Sequence, residues 1–145
     1  MQKLILELTE KYGLEATEAE LIAQGGANAA AVAKKLKAAR LAFIDVVEFI
    51  VANGRSNPNA AFAGSVPYLM LAGNLMAGWQ LARALLVAEA ALASGDCGDF
   101  GPTFMQAKIT TARFYADHIL ARAPGVRDAI VEGAGSVTEL PLEAF

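Results

Sequence analysis

Apolar residues recur along most of this chain at intervals of three and four, the spacing that gathers them on one face of an α-helix. The first such face is Leu4, Ile5, Leu8 and Tyr12, which predicts a helix over residues 2–12 stopped by Gly13. A short second helix is predicted from Thr17. There the run Thr17-Glu18-Ala19-Glu20 reads as a capping box in which Thr17 caps and Glu20 reaches back. Gly25 and Gly26 then break the chain, and Asn28 is the expected cap of a long helix reaching about Ala52. Its stripe is Val32, Leu36, Ala39, Phe43, Val46, Val47 and Ile50, and Asn53-Gly54 ends it.

Pro58 and Pro67 each suit a first helical turn, and Ser65 is a candidate cap for the helix that Pro67 helps open. If helix already runs from Pro58, Pro67 is a kink. This helix continues to about Ala93, and Gly73 and Gly78 on it are each expected to mark a close approach of backbones. After the turn-forming stretch SGDCGDFGP, Gly101-Pro102 opens a fourth long helix. Its stripe is Met105, Ile109, Ala112, Ala116, Ile119, Leu120 and Ala123. Pro124 restarts a turn or two of helix carrying Val126, Ile130 and Val131, and Ser136 with Glu139 forms a second possible capping box before Pro141. No stretch carries a convincing strand signal. The predicted fold is all-α: an up-down helical bundle of about four main helices with short extra segments, in one domain over residues 1–145.

Composition supports helix, since alanine supplies about a fifth of the 145 residues. Hydrophobic residues at 55% and charged residues at 19% exclude a disordered chain. A net charge of −3 argues against a nucleic-acid partner, which needs a basic surface. A single cysteine, Cys97, forms no internal disulfide and suits a reducing cytoplasm. Mean hydropathy of +0.39 is high, and residues 66–94 are the best candidate membrane span. Asn74, Gln80, Arg83 and Glu89 interrupt it, so a bundle helix is the better reading. The N-terminus lacks the apolar run and cleavage site of a signal peptide. The spare hydrophobicity then points to a surface meant for another subunit or domain.

Candidate chemistry is sparse. His118 is the only imidazole, with Phe114, Tyr115 and Arg122 near it on the helix, and it reads as structural or solvent-facing. Asp96, Cys97 and Asp99 crowd a Gly-rich turn without calcium-loop or zinc spacing, so no metal site is expected. Asp45 and Glu48 share a helix face, yet no Glu-x-x-His motif accompanies them, and a solvated face or ion pairs with lysines is the expectation. The glycines of GDCGDFG lack a Walker lysine and a preceding strand, so they form no phosphate loop. The basic run at residues 34–40, KKLKAAR, reads as a solvated helix face, with a phosphate group, an acidic surface or anionic lipid as its alternative partner. Trp79, Phe104, Phe114 and Tyr115 are large rings for core packing or an interface.

Several stretches together resemble one family. They are Val66-Pro67-Tyr68-Leu69, Gly78-Trp79 followed by Leu81-Ala82-Arg83, Lys108 with Ala112-Arg113-Phe114-Tyr115-Ala116, and the closing Glu143-Ala144-Phe145. Their order and spacing over residues 57–145 resemble the C-terminal domain of long-form acyl-CoA dehydrogenases, as in enzymes similar to 3-methylmercaptopropionyl-CoA dehydrogenase. The resemblance implies a helical fold and a parent enzyme that desaturates an acyl-CoA thioester. In that family a glutamate takes the α-proton, FAD accepts hydride, and an electron-transfer flavoprotein reoxidises the flavin.

Those parts belong to an upstream core, so no catalytic, cofactor-binding or metal residue transfers onto these positions. FAD is expected in the parent enzyme and no cofactor in this chain. The implied role is an accessory domain packed on that core or on a neighbouring subunit of a homo-oligomer, with Trp79, Arg113 and Tyr115 as candidate packing or docking residues. A free-standing helical module that self-associates is the alternative, followed by a peripheral lipid binder using residues 34–40. The chain opens on Met1, whereas the family domain is normally the tail of a longer chain. It is therefore expected to be either an excised piece or a free-standing relative.

Overall fold

A computed structural model describes residues 13–144, with the side chains of Thr138 and Leu142 left aside. The helix expected over residues 2–12 lies outside the described residues, as does Phe145. The described residues form helices α1 (Leu14–Gln24), α2 (Ala27–Asn53), α3 (Pro58–Ala63), α4 (Ser65–Ser94), α5 (Gly101–His118), α6 (Ala123–Val131) and α7 (Ala134–Thr138). Single 3-10 turns at Gly98–Phe100, Leu120–Arg122 and Leu142–Ala144 complete them, and no strand occurs among the described residues.

The fold is an all-α bundle in which α2, α4 and α5 pack on one another, while α1 and α6 close the sides of α2. Short links between the long helices make successive ones run in opposite directions. The seams are built from small residues: Ala29, Ala33, Ala39, Ala42, Ala82, Ala88, Ala112 and Ala116 are all buried, with Leu21, Leu36, Leu75, Leu85 and Leu120 filling between them. Small side chains set a short interaxial distance, so each leucine meets several helices at once. Gly78 shows how tight this is: a Cβ there would lie 2.7 Å from Leu120 Cδ1. Gly73 has open space instead, so the expected close approach holds at Gly78 and fails at Gly73.

The helix starts differ from expectation in instructive ways. Gly13 takes a left-handed φ of 87°, and α1 begins directly after it at Leu14. Thr17 then lies one turn inside α1, its backbone N–H donating to Gly13 O at 2.7 Å, so the Thr17–Glu20 capping box does not form. Helix α2 starts at Ala27 without a side-chain cap, and Asn28 sits inside the first turn with its side chain turned to Arg113. Ser65 is the first residue of α4 and caps nothing. Asn57, in contrast, caps α3 by accepting from the Ala60 N–H at 3.4 Å. Ser136 donates to Gly133 O at 2.8 Å, and α7 already runs from Ala134, which removes the second capping box.

Both prolines behave as first-turn residues, Pro58 opening α3 and Pro67 lying in the first turn of α4. Pro124 does more. It lacks an N–H and its ring clashes with the carbonyl four residues back. Accordingly α5 stops at His118, the chain tightens through Leu120–Arg122, and α6 restarts at Ala123.

Candidate functional site

The groups singled out for chemistry are scattered. His118 is exposed at the end of α5 and rests against the Phe114 ring, centroids 4.5 Å apart. Asp117 beside it is engaged by Arg113 Nε at 2.6 Å. In the turn after α4, Asp96 Oδ1 accepts from the Gly98 N–H and Cys97 Sγ lies 3.8 Å from Ala91 O, which is the chemistry of a surface turn. No group of three or more His, Cys, Asp or Glu side chains able to hold a metal occurs among the described residues. Asp45 pairs with Arg127 at 3.2 Å, not with a lysine, and Glu48 is exposed.

The basic run splits in two. Lys34 and Lys37 are exposed, but Arg40 is only 7% exposed and turns inward. Its Nε donates to Glu18 Oε1 at 2.8 Å, its Nη2 to Glu18 Oε2 at 3.0 Å, and its Nη1 to Glu15 at 2.7 Å. Arg40 is thus a structural ion pair, and a solvated face is confined to the lysines. The hydrogen bond it donates to Glu18 raises the Arg40 guanidinium pKa against the opposing effect of burial, so Arg40 stays charged. A sequence signal for it existed. Glu18 falls between Leu14 and Leu21 on the buried stripe of α1, and Arg40 falls between Leu36 and Val47 on that of α2. A charge of each sign on facing stripes predicts a pair.

The three candidate docking residues each make a polar contact within the chain. Trp79 Nε1 donates to Thr17 Oγ1 at 3.0 Å, tying α4 to α1. Arg113 reaches from Asp117 to Asn28 Oδ1 at 3.3 Å, tying α5 to the start of α2. Tyr115 donates its hydroxyl to Asn74 O at 3.3 Å, and burial pushes its phenol pKa up.

One surface stands apart. Arg83 lies over the Trp79 ring at 5.6 Å, Phe100 stacks on Phe104 at 4.7 Å, and Lys108 lies over Phe104 at 4.8 Å. Val87 between them is 67% exposed and Phe100 68%. Two shallow hollows meet here, sharing Arg83 and Val87. Neither Arg83 nor Lys108 pairs with a carboxylate among the described residues. Exposed Phe and Arg side chains beside the half-buried Trp79, over an apolar floor, are the composition of an interface core. A second apolar apron, Phe62, Val66, Leu69 and Met70, covers the other end of α4. Helix α4 is also long and apolar enough to cross a membrane by length and composition.

The family model described as Acetyl-CoA dehydrogenase C-terminal like matches residues 13–141. The chain belongs to this family. Over 124 residues, 86% of the chain, it is 44% identical to 3-methylmercaptopropionyl-CoA dehydrogenase of Ruegeria pomeroyi. Over 82 residues, 57% of the chain, it is 38% identical to the broad-specificity linear acyl-CoA dehydrogenase FadE5 of Mycobacterium tuberculosis. The matched stretch is only 20% of the first enzyme's length and 13% of the second's. As an acyl-CoA dehydrogenase C-terminal domain, the chain corresponds to one part of those enzymes, and the match begins at Gly13, where α1 is about to start.

Proposed function

We propose that this domain serves as an accessory unit of an FAD-dependent acyl-CoA dehydrogenase, packing on the catalytic core or on a neighbouring subunit, with no catalysis of its own. The observation that carries the proposal is the Trp79–Arg83–Phe100–Phe104–Lys108 face. It exposes aromatic surface and two cations that no carboxylate among the described residues neutralises, a combination suited to a partner. The match covers 20% of the Ruegeria pomeroyi relative, and the corresponding remainder of such an enzyme is the partner this reading assigns. A flavin dinucleotide does not fit the Trp79 hollow. That hollow holds about 490 Å³, but among the described residues Arg83 is its one cation and Glu20 stands on the same wall, where a pyrophosphate needs converging donors.

Co-expression tests the proposal. The Ruegeria pomeroyi enzyme trimmed of its matching C-terminal stretch is expected to co-purify with this domain. The Arg83→Glu, Phe104→Asp double variant is expected to lose that complex while keeping its helical circular dichroism. The domain alone is expected to show no flavin absorbance and no acyl-CoA-dependent dye reduction. Bound flavin, turnover by the domain alone, or a complex indifferent to the double variant would sink the proposal.

Self-association is the second reading, favoured by the Phe62–Val66–Leu69–Met70 apron. A tight dimer by light scattering, dissociated by Leu69→Glu, would select it. The lipid-binding reading loses support because Arg40 is withdrawn from the lysine face.

A further inference from the structure

We propose that the hollow between the first turns of α4, the Leu120–Arg122 turn and the start of α6 binds a short-chain aliphatic carboxylate. The hollow measures about 190 Å³. Apolar cavities of ~150 Å³ hold benzene, so a chain of roughly six carbons is the size that fills this one. Its floor is rigid, since Leu71, Leu75 and Leu120 are each only 2% exposed. The rim is polar on one side. Among the described residues, Arg122 is the one charged residue lining the hollow, and no Asp or Glu lines it.

Arg122 differs from three of the domain's six arginines in one respect. Arg40, Arg113 and Arg127 all hold carboxylates, whereas Arg122 has no such partner among the described residues. Asn74 also lines the hollow, and its Oδ1 is taken by the Tyr115 hydroxyl at 3.4 Å, which leaves the amide NH2 as its donor end. An apolar floor with a cation and an amide donor beside it fits a greasy tail that ends in a carboxylate. The backbone explains how the parts meet. Because Pro124 ends α5 early, the tightened turn sends Leu120 to the floor and brings Arg122 to the rim. The site shares no residue with the Trp79–Phe104 face, so it stands independently of the docking proposal.

Amide chemical shifts of the 15N-labelled protein, titrated at constant ionic strength with hexanoate, 1-hexanol and hexylammonium, test this site. Hexanoate is expected to give saturable shifts confined to residues 67–75 and 119–126, with a Kd of the order of millimolar. Hexanol is expected to bind about tenfold more weakly for lack of the charge-assisted bond, and hexylammonium not to bind. Arg122→Gln, an exposed substitution, is expected to bring hexanoate down to the level of hexanol. Non-saturating or dispersed shifts, equal binding of hexanoate and hexanol, or an Arg122→Gln protein that binds hexanoate as tightly as the original would overturn the assignment.

Discussion

Helices α2 and α4 are the two long members of the bundle, 27 and 30 residues, yet they spend their apolar residues differently. In α2 the buried set runs from Ala29 to Val47 and even includes Arg40. In α4, the more apolar of the two, fewer positions are buried, and Val66, Leu69, Met70, Met76 and Val87 face outward. A helix whose only role was to fill this core would not need them. The contrast separates two kinds of hydrophobicity in one domain. The α1–α2 side is sealed around an ion pair, and the outer face of α4 carries apolar surface that the other described residues do not cover.

The sealed side is where a single change should cost most. Arg40→Ala leaves the Glu18 carboxylate buried without its partner and is expected to destabilise the domain by about 3–5 kcal/mol. Against a typical total of roughly 5–15 kcal/mol, that is a large fraction. Replacing both partners, Arg40→Met with Glu18→Leu, is expected to recover most of the loss, since an apolar pair of similar volume needs no compensation. Urea unfolding followed by circular dichroism measures both. A double variant as unstable as Arg40→Ala would show that the pair does more than neutralise itself.

A smaller effect separates the two faces of α4 itself. Gly78→Ala puts a methyl group against the buried Leu120 side chain, which must shift to admit it, and is expected to cost about 1–3 kcal/mol. Gly73→Ala, five residues earlier in open space, is expected to stabilise by roughly 0.5–1 kcal/mol through helix propensity alone. Thermal unfolding of the two variants should shift in opposite directions. Shifts of the same sign would mean that the inner and outer faces of α4 are wrongly assigned.

How much of this was legible in the sequence depends on what encodes it. Long stripes such as Val32–Leu36–Ala39–Val46 and Ile109–Ala112–Ala116 are periodic over several turns, and they gave the bundle and its core positions. Helix ends were read less well, because one residue can serve two purposes. Thr17 has the chemistry of a cap, but Gly13 lets α1 begin a turn earlier, so Thr17 instead receives the Trp79 N–H. Asn28 likewise has its oxygen taken by Arg113 across the bundle. Gly73 and Gly78 look alike in sequence, and only the neighbouring helix distinguishes them. The hollow beside Arg122 is assembled from three segments that nothing local connects. Tertiary partners decide such sites.

Glu89 offers the finest probe, because it belongs to α4 yet faces the sealed side. Its carboxylate approaches Gly26, where a Cβ would lie 3.3 Å from Oε1, and burial raises its pKa above the ordinary 4.5. The sign follows from linkage. A carboxyl group that holds its proton more tightly when folded favours the folded state at acid pH. That contribution is complete below pH 4.5 and is lost as the pH rises through the higher folded value. Glu89→Gln keeps the shape and removes the titration. Its stability relative to the original protein should therefore rise with pH from just above 4.5 and level off toward neutrality. The gain should be well below the Arg40 loss, since Glu89 is only partly buried whereas Glu18 is almost wholly enclosed. Urea midpoints for both proteins across this range give the difference directly, and other carboxylates cancel in it. A difference that stayed flat, or fell with rising pH, would place Glu89 in water and move the edge of the sealed region off this part of α4.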